Sequence, residues 1–299
     1  MRLEDLRDAA LAEYRVAGKK CLSRAEIAFR AIANYFGEDA PADALTYDVL
    51  MEYAAKRMET CASGTVRLEL AYLRKGFVAL QKAGKIKLPA FPSVKASDPR
   101  QGFFEDAQEA AIIALLPPDI AVCIRFLSLT GWRVSEARRL AWVCVDFVAG
   151  TVRLEPGTTK NKDGRTFPFS ALPPLEALLV EQRARTDALE RQYAQVIPLV
   201  FWRHFGGRVR PCDWHARLWR RRCAEAGYPG KLVHDLRRTA VRRLERAGVS
   251  RSVAMKLTGH RTEAVYKRYA IVNEADLGEG VAKLAEFILG SVDKGKGQV

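Results

Sequence analysis

Histidine is scarce in this chain, with four residues among 299, and none belongs to a Cys/His cluster with zinc-ligand spacing. A metal centre built from side chains is therefore not expected. The six cysteines, Cys21, Cys61, Cys123, Cys144, Cys212 and Cys223, include no Cys-x-x-Cys pair. Most sit beside apolar residues and read as reduced core fillers, not as a disulfide framework. No apolar run reaches the roughly 18 residues that a spanning helix needs. The start, Met1-Arg2-Leu3-Glu4-Asp5, has no apolar core of a signal peptide. These absences argue against a membrane-spanning helix and lead to the expectation of a cytoplasmic protein. Internal repeats and low-complexity tracts are also missing.

Acidic residues are the minority charge: 35 Asp and Glu face 49 Lys and Arg, a net charge of +14. An excess of this size suits a polyanionic partner, nucleic acid first. The apolar share of 48% and charged share of 28% are those of an ordinary globular protein. At this length two domains are the better expectation.

Residues 1–90 read as helical throughout. Leu3, Leu6, Ala10, Leu11 and Tyr14 form one apolar stripe, and Ile27, Ile32 and Phe36 a second. Ser23 with Glu26 three residues on predicts a capping box at the start of the second helix. Thr46–Met58 and Thr65–Leu80 complete a four-helix set, which Gly84 ends. Leu88-Pro89-Ala90-Phe91-Pro92-Ser93 and the polar run to Arg100 read as a linker, which places a boundary near residue 95. Beyond it, Glu105–Leu116, Ile120–Thr130 and Val134–Leu140 have helical spacing. One region alternates like a strand pair: Thr151–Glu155 and Arg165–Phe169, around a polar turn from Gly157 to Gly164. The rest is expected to be helical to about Gly290, with a frayed end.

Several residues carry chemistry. Arg133 follows the Gly131 break, which sets it at a helix start, where free amides and the dipole favour an anion. The plain alternative is a surface arginine paired with Glu136. Lys160 and Lys162 share the hairpin turn, and residue chemistry does not choose between them as a general acid. His234 and Arg237 stand at i and i+3, so they share a helix face while Arg238 points elsewhere. Lys231, Arg242, Arg243, Arg246 and Arg251 surround them, as phosphate contact requires or as a solvated helix face would. His260 follows Thr258-Gly259 on a turn before the next helix, which carries Tyr266 and Tyr269. A tyrosine with an ordinary pKa near ~10 becomes a nucleophile only with help from a base or nearby cations.

Taken in order, these segments resemble the tyrosine recombinase (phage integrase) family. Thr130-Gly131-Trp132-Arg133-Val134-Ser135-Glu136 is similar to its first arginine box. Lys160, five residues before Arg165, is similar to its hairpin lysine. His234-Asp235-Leu236-Arg237-Arg238-Thr239 and Leu257-Thr258-Gly259-His260 match the second and third boxes, and Tyr269 falls at the nucleophile position. The family offsets select Lys160 over Lys162 and Tyr269 over Tyr266.

The resemblance implies a mainly α fold with a small antiparallel β-sheet. A helical, SAM-like core-binding domain would span 1–95 and a catalytic domain 96–299. It implies a site-specific recombinase acting through a 3′-phosphotyrosyl intermediate, with Arg133, Lys160, His234, Arg237, His260 and Tyr269 catalytic and Glu136 orienting the arginines. No cofactor or metal is implied. The partner is double-stranded DNA, bound by a homotetramer on two sites, with a monomer or dimer when free. The apolar residues of Glu274–Leu289 would dock on the same protomer or on a neighbour. The chain starts almost directly at the core-binding helices, which argues against arm-site control and suggests a simpler recombinase of the Xer, Cre or integron type, or a two-domain mobile-element integrase. A type IB topoisomerase, or a non-catalytic DNA-binding protein derived from an integrase, is the alternative.

Overall fold

Helical spacing in the first hundred residues becomes four helices: α1 (Leu3–Val16), α2 (Leu22–Phe36), α3 (Tyr47–Met58) and α4 (Ser63–Lys82). The computed structural model describes residues 1–299 apart from 20, 97–99, 101, 156–163, 215, 267–277, 279, 283 and 286–299. The chain divides into two units, residues 1–99 and 100–299.

In the first unit α1 buries Leu3, Leu6, Ala10 and Leu11, one stripe at helical spacing. Its first turn is closed by Asp5, whose carboxylate accepts the Arg2 N–H at 2.7 Å. α4 packs on α1 and on α2. Gly76 lets α1 and α4 approach closely, because a Cβ there would run into the Leu6 carbonyl. One carboxylate is buried in this core: Glu69 accepts from Tyr53 Oη at 2.8 Å and from Arg57 Nη2 at 2.6 Å. Such pairing is what a buried charge requires.

The second helix departs from expectation. It begins at Leu22, so Ser23 lies inside the first turn, and no side chain caps it. Its buried face is Ala25, Ala28, Phe29 and Ile32, and Ile27 is 62% exposed. Phe29, not Ile27, takes the central place on the face turned to α1 and α4.

The second unit runs α5 (Asp106–Ala114), α6 (Pro118–Thr130), the single turn α7 (Val134–Ala137), then β1 (Val145–Asp146), β2 (Thr151–Leu154) and β3 (Arg165–Pro168). The three strands form an antiparallel sheet in the order β1-β2-β3, with Thr151 opposite Pro168 and Leu154 opposite Arg165. Val152, Leu154 and Phe167 are buried and their strand neighbours are not, the period-two pattern of a half-buried sheet. Next come α8 (Pro173–Tyr193), β4 (Trp202–Phe205), β5 (Arg208–Pro211), α9 (Ala216–Glu225), α10 (Val233–Arg246), α11 (Arg251–Thr258) and α12 (Glu263–Tyr266). The β4–β5 hairpin stands where only helix was expected. Its two-residue turn is Gly206-Gly207, at φ 58° and 74°, the left-handed conformation that a tight hairpin demands.

The buried α6 lies at the centre of this unit, against α10 on one side and α8 on the other. No helix among the described residues is long and apolar enough to cross a membrane. Most of the Glu274–Leu289 segment lies outside the described residues.

Candidate active site

Two glycine turns bring the site together. α6 ends at Gly131, in the left-handed conformation at φ 65°, and α11 ends at Gly259, at φ 71°. Gly131 is needed twice over: a Cβ would also stand 2.9 Å from the Ala240 methyl group on α10. The turn after Gly131 sends Trp132 into the core, where its indole N–H donates to Leu257 O at 3.2 Å. Arg133 then sits at the N-cap of α7.

Glu136 holds Arg133 at two points. It accepts the Arg133 backbone N–H at 2.9 Å through Oε2 and the Arg133 Nη1 at 2.9 Å through Oε1. Arg133 Nη2 also donates to Gly259 O at 3.2 Å. A second guanidinium reaches the same carboxylate, because Arg165 at the start of β3 pairs with Glu136 Oε2. Arg165 lies 4.5 Å over the Trp132 ring and fills the space a Cβ on residue 259 would take. Burial alone would raise the Glu136 pKa. Arg165 and Arg133 overcome it and hold the carboxyl below the usual glutamate range.

Arg237, on the first turns of α10, is 3% exposed. Its Nη1 donates to Gly131 O and to Thr258 O, each at 2.6 Å, so it staples the two glycine turns together. Its Nε and Nη2 face His260 Nε2 at 3.2 and 3.0 Å. The imidazole's other nitrogen, Nδ1, lies 2.7 Å from Thr258 Oγ1. That hydroxyl donates its own proton to Ala254 O at 2.7 Å, so it accepts from Nδ1. His260 thus carries its proton on Nδ1 and turns the Nε2 lone pair to Arg237. Burial first, then the Arg237, Arg133 and Arg165 cations, drive its pKa down to about 3. The ring is neutral at physiological pH.

His234 is the second residue of α10. Partial burial, then Arg237 and Arg238, lower its pKa from the ordinary value, and Arg133 adds to this. Tyr266 packs edge-on to His260 with ring centroids 5.3 Å apart, and it is fully buried. Burial and Glu245 push its phenol well above the ordinary tyrosine range. It is a core residue and an unfavourable nucleophile. Arg133, Glu136, His234, Arg237 and His260 are therefore gathered about the Gly131 and Gly259 turns. Lys160 and Tyr269 lie outside the described residues.

Two residues that matter here drew no attention as chemistry in the sequence. One is Arg165, first used only to measure an offset. The other is Asp235, which is fully buried beside His234. It accepts the Leu232 N–H at 2.9 Å, closing the start of α10, and also pairs with Arg238 at 2.8 Å and Arg100 at 2.9 Å. These partners outweigh burial and hold its carboxyl below the usual aspartate range. The surrounding basic residues need a different reading from the one the sequence invites. Arg243 pairs with Asp106 and with Glu109 at 3.0 Å, Arg242 pairs with Glu105 at 3.0 Å, and Lys231 donates to Phe103 O at 2.6 Å. They fasten α10 to α5 and to the segment before it.

The family model of the phage integrases matches residues 105–276, more than half of the chain. The chain belongs to the phage integrase family. All the site residues named above, described or not, fall inside the matched segment. Solved integrase structures share the fold of this phage integrase along most of its length. A lambda integrase tetramer bound to a Holliday junction superposes with a TM-score of 0.72 at 16% identity, covering 91% of this chain and 78% of that one. The Tn1549 transposon integrase in complex with transposon right end DNA gives 0.71 at 16% identity, covering 95% and 100%. A lambda integrase dimer bound to a COC' core site gives 0.71 at 18% identity, covering 91% and 77%. Comparison with curated proteins gave no match.

Proposed function

We propose that this integrase is a site-specific DNA recombinase that cuts and rejoins strands through a 3′-phosphotyrosyl intermediate. The observation that carries the reading is the convergence of Arg133, Arg237 and His260 on the two glycine turns, each fixed by named partners. Glu136 is shared by two guanidinium groups, so this cluster keeps a net positive charge. A preorganised cationic cluster of this kind suits a phosphodiester whose negative charge grows as it is attacked.

In this reading Tyr269 gives up its phenol proton, to His234 or to water, and attacks the scissile phosphorus, forming the O–P bond as the bond to the 5′-oxygen breaks. Lys160 supplies a proton to that departing oxygen. Arg133 and Arg237 take the non-bridging oxygens. His260 stands neutral before DNA binds; the developing phosphate charge favours its taking a proton from water on Nε2, which it then donates in a hydrogen bond to a non-bridging oxygen. His234 serves proton transfer at the tyrosine or buttresses the phosphate. The phosphotyrosine conserves the bond energy for the attack of the second strand's 5′-hydroxyl, so the exchange needs no external energy source. Four protomers on two duplex sites complete the exchange, with residues 1–95 and the catalytic domain sharing the DNA contact.

A nicked suicide duplex, which traps the covalent intermediate, tests this. Wild type is expected to yield a protein–DNA adduct, Tyr269→Phe none, and Tyr266→Phe an adduct if its core still packs. Equal adduct from wild type and Tyr269→Phe overturns the proposal. Efficient relaxation of plasmid lacking any specific site, without recombinant products, would instead mark a type IB topoisomerase.

A further inference from the structure

Arg165 is among the most confined charged residues of the second unit. Its side chain is 8% exposed, it lies against the Trp132 ring, and it pairs with the shared Glu136 carboxylate. It also occupies the space that only a glycine at 259 leaves open. Four elements thus meet on one guanidinium: β3, the Trp132 turn, α7 through Glu136, and the Gly259 turn that precedes His260. Glu136 in turn holds Arg133 by its backbone and by its guanidinium. The chain of contacts runs from the base of the β2–β3 hairpin to the arginine at the site, and Arg165 stands at its start.

We infer that Arg165 is a positioning residue of the strand-cleavage reaction: it fixes the Glu136 carboxylate in the orientation that aims Arg133 at the phosphate. This rests on the recombinase reading above. Arg165 itself touches no DNA; it acts through Glu136. Two features favour this over a merely stabilising ion pair. The carboxylate it locks also accepts the Arg133 backbone N–H and the Arg133 guanidinium, so loss of Arg165 leaves Glu136 held by Arg133 alone among the described residues, with no partner outside that residue to set its orientation. The fork also needs an arginine: a lysine ammonium keeps the charge but cannot both lie flat on the indole and reach Oε2.

The test is a double-mutant cycle on single-turnover cleavage of a nicked duplex, with wild type, Arg165→Gln, Glu136→Gln and the double variant. DNA affinity and melting temperature are measured in parallel. Arg165→Gln is expected to cleave about a hundredfold more slowly, the scale of an ångström's misplacement, and to bind the duplex as wild type does. Arg165→Lys should recover part of the rate. Because Arg165 acts through Glu136, the double variant should be no slower than Glu136→Gln alone. Wild-type cleavage by Arg165→Gln, or losses that multiply in the double variant, would overturn the inference. If Arg165→Gln does not fold, Arg165→Lys takes its place in the cycle with the same deciding outcomes. If wild type forms no adduct, the recombinase reading fails, and Arg165 is judged on the free protein by carboxyl-carbon NMR of Glu136. Its titration should move to higher pH when Arg165 is replaced; an unmoved titration sinks the positioning role.

Discussion

His260 shows how a single residue's protonation is decided by the partners and burial that the fold gives it. Thr258 and Arg237 claim its two nitrogens, and burial first, then the Arg237, Arg133 and Arg165 cations, hold it neutral down to about pH 3. An unfolded histidine titrates near ~6.5. Between these values the unfolded chain binds a proton that the folded chain refuses, so stability falls as the pH drops through that window. One such group contributes up to about 1.4 kcal/mol per pH unit. His234 is shifted in the same direction, while Glu136 and Asp235 act only at lower pH. The melting temperature of wild type should therefore drop from pH 6.5 to 5 along a slope that His260→Gln makes shallower; identical slopes would refute the assignment. The sequence placed His260 on a turn before a helix, which is where it lies. It was silent on tautomer and charge, because these depend on a hydroxyl and a guanidinium that only tertiary structure delivers. The same holds for Asp235 and Arg165. A buried carboxylate or guanidinium looks like any surface charge until its partners, up to 135 residues away in the case of Arg100, are folded against it.

At the scale of elements, helices with strong apolar stripes were legible and local irregularities were not. The Leu3–Leu6–Ala10–Leu11 stripe is the buried face of α1. In α2 the apolar Ile27 misled, because alanines and Phe29 fill the close-packed face. β4–β5 escaped notice because its arginines mask the alternation: Trp202 is buried and Arg203 and His204 half-buried, while the other strand offers Val209 as its lone apolar side chain. The element that most needs its partners is α10, whose start hangs on Asp235. Gly102 passes so close that a Cβ there would stand 2.7 Å from the Asp235 carboxylate. Replacing Asp235 by Asn keeps the shape but leaves Arg100 and Arg238 facing a neutral amide. The loss of stability should be roughly 3–5 kcal/mol, the usual cost of breaking a buried pair. Denaturant unfolding of the full chain, with hydrogen exchange of the α10 amides, measures it. A change below about 0.5 kcal/mol, typical of a surface site, would show that Asp235 is not the anchor of this helix.

At the scale of the whole molecule, a charge of +14 says that the chain suits a polyanion but not which cations meet it. The structure sorts them. Arg243, Arg242 and Lys231 are engaged between α10 and α5, and Arg203 pairs with Asp119 at 2.7 Å. Arg217 and Arg220 on α9 are exposed and have no carboxylate partner among the described residues. Each cation that meets a phosphate releases condensed counterions, and so adds about 0.9 to the slope of log affinity against log salt on duplex DNA. Replacing Arg217 and Arg220 together by alanine should therefore flatten that slope by about 2. Arg243→Ala should leave the slope as it is and lower the melting temperature, because its charge is already spent on Asp106 and Glu109. Titrations of duplex DNA at several salt concentrations separate the two classes. Should Arg243→Ala flatten the slope while the α9 double variant does not, the assignment of these arginines is reversed: Arg243 would meet the phosphates, and Arg217 and Arg220 would carry their charge into solvent.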